Sequence, residues 1–170
     1  GISTTPATIP DLDVGQWWQA FAAHSPVKNL PNNARFLPET GLTVPLGNHL
    51  LYGRFDLLTI GEKENKPFAH VLDWKTGRPI AAQELKTRWQ TRLYLALLAE
   101  GGSAFWPQVV PLEPEQINLT YWFVQEPDAP VTISYSAAEH AATWTELQQI
   151  TNQLDEAVAL QTWPLTDDWS

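Results

Sequence analysis

"FLPETGLTVPLGNHLLYGRFDLLTIGEKENKPFAHVLDWKTG", residues 36–77, reads as three strands joined by two turns. Gly47-Asn48 suits a two-residue type II′ hairpin, because glycine accepts the positive φ that the first turn position needs. In that hairpin residue i faces residue 95 − i. The second connection, 61–67, is polar and centred near residues 64 and 65, so there residue i faces 129 − i. Glu39 is then set opposite Asp56, and Asp56 opposite Asp73. Three carboxylates fall in one row on one sheet face, since antiparallel partners share a face. Such a row repels itself and drives one member toward protonation unless a divalent cation neutralises it. Lys75 points to the same face as Asp73, with Arg54 as its register partner, so positive charge borders the acids.

The rest of the chain alternates helical and strand patterns. Residues 1–10 read as a flexible lead, and 11–24 as a short amphipathic helix with Val14, Trp17, Trp18 and Phe21 on one stripe. "SPVKNLPNN" then breaks the helical period. After "TGRP", residues 80–100 predict a single helix stopped by Gly101-Gly102. Its core stripe is Leu85, Trp89, Leu93, Ala96 and Leu97; Lys86, Gln90 and Tyr94, four apart, form a polar line beside it. Strands at 117–124 and 131–135 follow. The final helix opens with a capping box, Ser136 and Glu139, and carries a stripe of Trp144, Leu147, Ile150, Leu154 and Val158. Nine tryptophans are scattered along the chain; most read as packing, with a base-stacking platform left open for one or two.

Composition limits the chemistry. At 170 residues the chain holds one domain with a real core. It has no cysteine, which excludes disulfides, a cysteine nucleophile and an iron–sulfur cluster in this chain, and fits a reducing, cytoplasmic setting. No apolar run approaches the roughly 18 residues of a membrane span, so no membrane partner is expected. The net charge of −9 argues against a broad phosphate-binding surface. Positive charge is local instead: five of the ten basic residues lie between Asp73 and Tyr94, among them Lys75, Arg78 and Lys86. The chain opens on Gly without methionine and stops without a helix-stop signal, so it reads as a piece of a longer protein.

"GRFD" (53–56), "DWKTG" (73–77) and "QTRLY" (90–94) together resemble the second motif, the D-x-K motif and the Q-x-x-x-Y motif of the RecB-type branch of the PD-(D/E)XK nuclease superfamily. The resemblance covers roughly residues 36–160. It implies an α/β (α+β) fold: a restriction-endonuclease-like core with a central mixed sheet, led by a three-stranded antiparallel meander and flanked by helices. The implied division is a lead and short helix at 1–35, the nuclease core at 36–160 and a truncated tail at 161–170. It also implies a Mg²⁺- or Mn²⁺-dependent deoxyribonuclease, exonuclease-like, serving DNA repair, recombination or CRISPR-type processing beside a helicase or another nuclease subunit. Asp56, Asp73 and the backbone carbonyl of Trp74 are the implied metal ligands, with Glu39 a further one, and Lys75 positions or activates the attacking water. Gln90 and Tyr94 match the helix motif beside the DNA groove, where Arg54, Lys86 and Arg78 add positive charge.

The pattern lacks two parts of that branch. His24 has no matching motif around it, so the branch's upstream histidine is expected in preceding sequence; a C-terminal cysteine cluster is also missing. The residue types nevertheless suit the chemistry. Oxygen ligands select Mg²⁺ or Mn²⁺ and leave positions for water and phosphate, and a bound cation makes hydroxide available near neutral pH. The competing reading is a module of the same fold that binds nucleic acid or a partner without cutting; the joint presence of Asp56, Asp73 and Lys75 favours the nuclease.

Overall fold

The computed structural model describes residues 12–24, 27, 30–31, 33–106 and 111–160. The expected lead at 1–10 and tail at 161–170 lie outside them. Strands β1 (Arg35–Leu46), β2 (His49–Lys63), β3 (Lys66–Lys75), β4 (Ile117–Phe123) and β5 (Val131–Ser134) form one sheet in the order β1-β2-β3-β4-β5. All neighbours are antiparallel except β3 and β4, which run parallel. A parallel pair needs a crossover, and helices α2 (Ala82–Thr87) and α3 (Trp89–Gly101) lie on that connection. Helix α1 (Leu12–His24) precedes the sheet and α4 (Ala137–Ala159) follows it. No helix among the described residues is long and apolar enough to cross a membrane.

Both turn-derived registers hold. Every β1–β2 pair, from Arg35 with Ile60 to Leu46 with His49, sums to 95, and every β2–β3 pair, from Leu57 with Leu72 to Lys63 with Lys66, sums to 129. Gly47 carries φ +58° while Asn48 keeps a negative φ, as a type II′ turn requires. At the second turn Glu64 and Asn65 both sit at positive φ, 54° and 60°. Asparagine tolerates that region and glutamate does not, at a cost of about 1 kcal/mol. Glu64→Asn is therefore expected to raise stability by about 0.5–1 kcal/mol in urea unfolding; an unchanged midpoint would deny that this turn is strained.

The main core lies between the sheet and α3. Phe55, Leu58, Ile60, Val71, Leu119 and Tyr121 meet Leu95, Leu97 and Leu98 there. Gly53 lets the helix approach the sheet: a Cβ at that position would stand 2.7 Å from Leu97 Cδ1. On the other sheet face Leu57, Leu72 and Trp122 form a smaller cluster, covered by Phe21 and Ala20 of α1.

Two helix expectations are corrected. The predicted helix over 80–100 is broken at Arg88, whose backbone is extended (φ −66°, ψ 140°). Two threonines flank the break. Thr91 Oγ1 donates to Leu85 O at 2.5 Å, which also accepts from the Arg88 amide at 3.2 Å, and Thr87 Oγ1 donates to Glu84 O at 2.9 Å, where a continuous helix would bring the Trp89 and Arg88 amides. The break turns Trp89 out of the expected core stripe; it is 43% exposed and stacks beneath the Arg92 guanidinium, 4.4 Å from the ring centroid. In α4 the Ser136 cap forms, accepting from the Glu139 amide at 3.3 Å. The stripe is only partly buried, however. Leu147 is inside, whereas Ile150, Leu154 and Val158 are exposed, because the buried face of α4 runs through Thr143, Leu147 and Thr151, with Leu147 against Ala96 of α3.

Candidate active site

The site forms where β2 and β3 part. Their ladder ends at Leu57 with Leu72. Beyond it the Trp74 amide donates to Asp56 Oδ2 at 3.0 Å, so a side chain takes the place of a backbone partner. Strict alternation in β2 also fails here. Phe55 and Leu58, an odd number of residues apart, both enter the main core, while Leu57 faces the other cluster. This irregularity sets Asp56 beside the end of β3. A strand residue sends its N–H and C=O to the same edge. The Lys75 carbonyl accepts from Val124 on the β4 side, so the preceding carbonyl, that of Trp74, lies on the Asp56 side.

Asp73 is the centre of the arrangement. Its side chain is 2% exposed, with Lys75 Nζ 2.6 Å from Oδ1. Gln90 Nε2 donates to Oδ2 at 2.9 Å. Burial pushes the Asp73 carboxyl above its ordinary 3.8, against the pull of Lys75 and with a further push from the Asp56 charge. Although Lys75 is close, Asp73 Oδ1 accepts no well-directed hydrogen bond among the described residues. A buried carboxylate oxygen left in that state has coordinating capacity to spare.

Helix α3 braces this pair. Gln90 accepts from Lys75 Nζ at 3.3 Å while holding Asp73, and its amide also donates to the Tyr94 hydroxyl at 3.4 Å. Tyr94 in turn donates to the Arg54 carbonyl at 2.5 Å, locking the helix to β2. Beneath Lys75 lies the Tyr121 ring, 5.5 Å from Nζ. The Tyr121 hydroxyl meets Thr91 Oγ1 at 2.7 Å. Thr91 and Tyr121 were missed in the sequence because both look like ordinary core positions; only the helix break gives Thr91 its supporting role.

Asp56, Asp73, Lys75, Gln90 and Tyr94 thus come together with the Trp74 backbone, and the side chains of Glu39, Arg54, Lys86 and Arg78 do not join them. Glu39 and Asp56, expected to face each other, fall at the step the ladder skips between Pro38 with Leu57 and Thr40 with Phe55; the Glu39 φ is +49° and its carboxylate meets Arg54 Nη2 at 2.7 Å on the surface. The expected row of three carboxylates is therefore a pair, and the Arg54 charge is taken up by Glu39. Among the described residues no three histidine, aspartate or glutamate side chains gather as around a metal ion. Lys86 leaves the expected line with Gln90 and Tyr94, because the break at Arg88 directs it to Glu139 on α4. Arg78 is exposed in the segment after β3. His24 pairs with Asp128 at 3.0 Å, in the β4–β5 connection.

The family model of the PD-(D/E)XK nuclease superfamily matches residues 12–169. The chain belongs to this superfamily. No curated protein matches the chain. The mixed five-stranded sheet flanked by helices is the restriction-endonuclease-like fold of PD-(D/E)XK nucleases, which typically use divalent metal ions. The donor set here fits such an ion. Two neighbouring carboxylates, one with an underused buried oxygen, and a carbonyl on the same side offer oxygen ligands only, as Mg²⁺ or Mn²⁺ prefers.

Proposed function

We propose that this domain hydrolyses DNA as a metal-dependent nuclease of the RecB-type branch, with Asp56, Asp73 and the Trp74 carbonyl as ligands and Lys75 as the water-positioning group. The observation that carries this reading is the Asp73–Lys75–Gln90 cluster standing against Asp56 at the parting of β2 and β3. A bound Mg²⁺ or Mn²⁺ would supply a water of lowered pKa and offset charge on the phosphate. Asp73 and Asp56 hold that charge in place. Lys75, 31% exposed, reaches solvent with its ammonium and so can hold the attacking water. Gln90 fixes the orientation of both Asp73 and Lys75, and Tyr94 fixes the helix that carries Gln90. The Q-x-x-x-Y pattern supports the RecB assignment and, with it, a setting in DNA repair, recombination or CRISPR-type processing beside a helicase or another nuclease subunit. The test is hydrolysis of end-labelled DNA that begins with Mn²⁺ and stops with EDTA; no Mn²⁺-dependent product would oppose the reading.

The burial of Asp73 adds a pH dependence. A carboxyl whose folded pKa lies above its ordinary 3.8 stabilises the fold while protonated, and that contribution is lost as pH rises through the folded pKa. Ionised Asp73 is thus a cost to the metal-free fold near neutral pH, which a cation relieves. Protons and metal then compete for the same oxygen. At a fixed Mn²⁺ concentration the induced rise in melting temperature is expected to shrink as pH falls, because protons compete for the Asp73 carboxylate; a rise independent of pH would mean Asp73 is not a ligand.

A further inference from the structure

Lys75 is held from beneath as well as from the side. Its ammonium lies 2.6 Å from Asp73 Oδ1 and donates to Gln90 Oε1 at 3.3 Å. The third neighbour is the Tyr121 ring, whose centroid is 5.5 Å from Nζ, inside the range of a cation–π contact. Tyr121 is the register partner of Asp73 on the parallel strand β4, so the two share a sheet face. At 1% exposure the ring has no access to a substrate, and any part it takes in the reaction passes through Lys75. Hydrogen-bond directions fix its orientation. Thr91 Oγ1 gives its one proton to Leu85 O at 2.5 Å, so its 2.7 Å contact with the Tyr121 hydroxyl is donated by the tyrosine. The ring is thereby tied to the Arg88 break and to α3, the helix that carries Gln90.

We infer that Tyr121 is a positioning residue for Lys75: its ring face, clamped by Thr91, keeps the ammonium at the site once Asp73 gives its oxygen to a metal ion. The inference rests on the nuclease reading and deepens it. Lys75 and a metal ion draw on the same atom, Asp73 Oδ1, the buried oxygen with coordinating capacity to spare. An ammonium that gives up that contact is left with Gln90 and the Tyr121 face. Gln90 alone is a loose hold, because its bond to Lys75 is long at 3.3 Å and its amide is shared between Asp73 and Tyr94. A buried, hydrogen-bonded ring stays where it is. Its face attracts the ammonium through the ring quadrupole and leaves N–H donors for Gln90 and for a water.

The test joins cleavage of labelled DNA in Mn²⁺ to a contact signal that needs no metal. In proton NMR the Lys75 ε-methylene, assigned by its absence from Lys75→Ala, is expected upfield of the other lysines through the Tyr121 ring current. It should stay upfield in Tyr121→Phe and return to the ordinary position in Tyr121→Leu. The kcat of Tyr121→Leu is expected to fall about 3- to 30-fold, the rate equivalent of a cation–π contact, with KM for DNA and the Mn²⁺-induced thermal shift unchanged. Tyr121→Phe, which keeps the face and loses the Thr91 bond, should lose less. In the Lys75→Ala background Tyr121→Leu should bring no further loss. The same fractional loss in both backgrounds, equal losses for Tyr121→Leu and Tyr121→Phe, or a Lys75 signal indifferent to Tyr121→Leu would make the ring ordinary core packing and overturn the inference. Where Tyr121→Leu does not fold, Thr91→Val, which removes only the hydroxyl clamp, is expected to lower kcat and reduce the upfield displacement; no change in either would overturn it equally. The upfield signal and its loss in Tyr121→Leu, with no cleavage by the parent protein, would keep the hold of Tyr121 on Lys75 and reject the nuclease reading.

Discussion

In millimolar Mn²⁺ the melting temperature of this chain is expected to rise by roughly 5–10 °C, and that of Asp56→Ala/Asp73→Ala to stay where it was. A ligand that binds only the native state at 100 times its Kd stabilises by about 2.7 kcal/mol, and each kcal/mol is worth about 2–4 °C for a chain of this size. The double variant is a fair comparison because it should fold. Removing Asp73 deletes a buried charge whose ionised form is already disfavoured, and the Lys75 ammonium it leaves behind can turn to solvent. Asp56 contributes one hydrogen bond, from the Trp74 amide, worth about 1 kcal/mol. An equal rise in both proteins would place the metal elsewhere.

Lys75→Ala is expected to lower the rate of DNA hydrolysis by about 10²- to 10⁴-fold, the usual contribution of a positioned proton-transfer group, without loss of metal affinity. The two readouts separate because Lys75 and a metal ion would draw on the same oxygen. The ammonium lies 2.6 Å from Asp73 Oδ1. With the ammonium gone, Asp73 is left buried without its cation, a destabilising state that a metal ion would relieve. The Mn²⁺-induced thermal shift of Lys75→Ala should therefore equal or exceed that of the parent, although cleavage is lost. A lysine with only a structural role predicts the reverse, a less stable protein that still cuts in saturating Mn²⁺.

Much of this geometry was legible in the sequence because turns determine registers. Gly47-Asn48 and the polar Glu64-Asn65 centre placed residues as far apart as Arg35 and Ala69 in their observed strand positions, and from there Asp56 and Asp73 had to be neighbours. Alternation was the weaker guide. It assumes ordinary extended backbone at every position, and the positive φ at Glu39 together with the reversal at Asp56 breaks it at the site itself. The helix line failed for a related reason: spacing by four holds Lys86, Gln90 and Tyr94 together only in an unbroken helix, and Thr87 and Thr91 draw carbonyls out of that ladder. Surface apolar residues such as Ile150, Leu154 and Val158 fit a core stripe in sequence, but the face of α4 that is buried carries Thr143, Leu147 and Thr151 instead.

The most direct test of the central claim is hydrolysis of labelled single- and double-stranded DNA in Mn²⁺, with the parent chain and Lys75→Ala run side by side. Cleavage by the parent and its loss in the variant is the predicted result. Cleavage by both at the same rate would contradict the assignment of Lys75 and the site built around it.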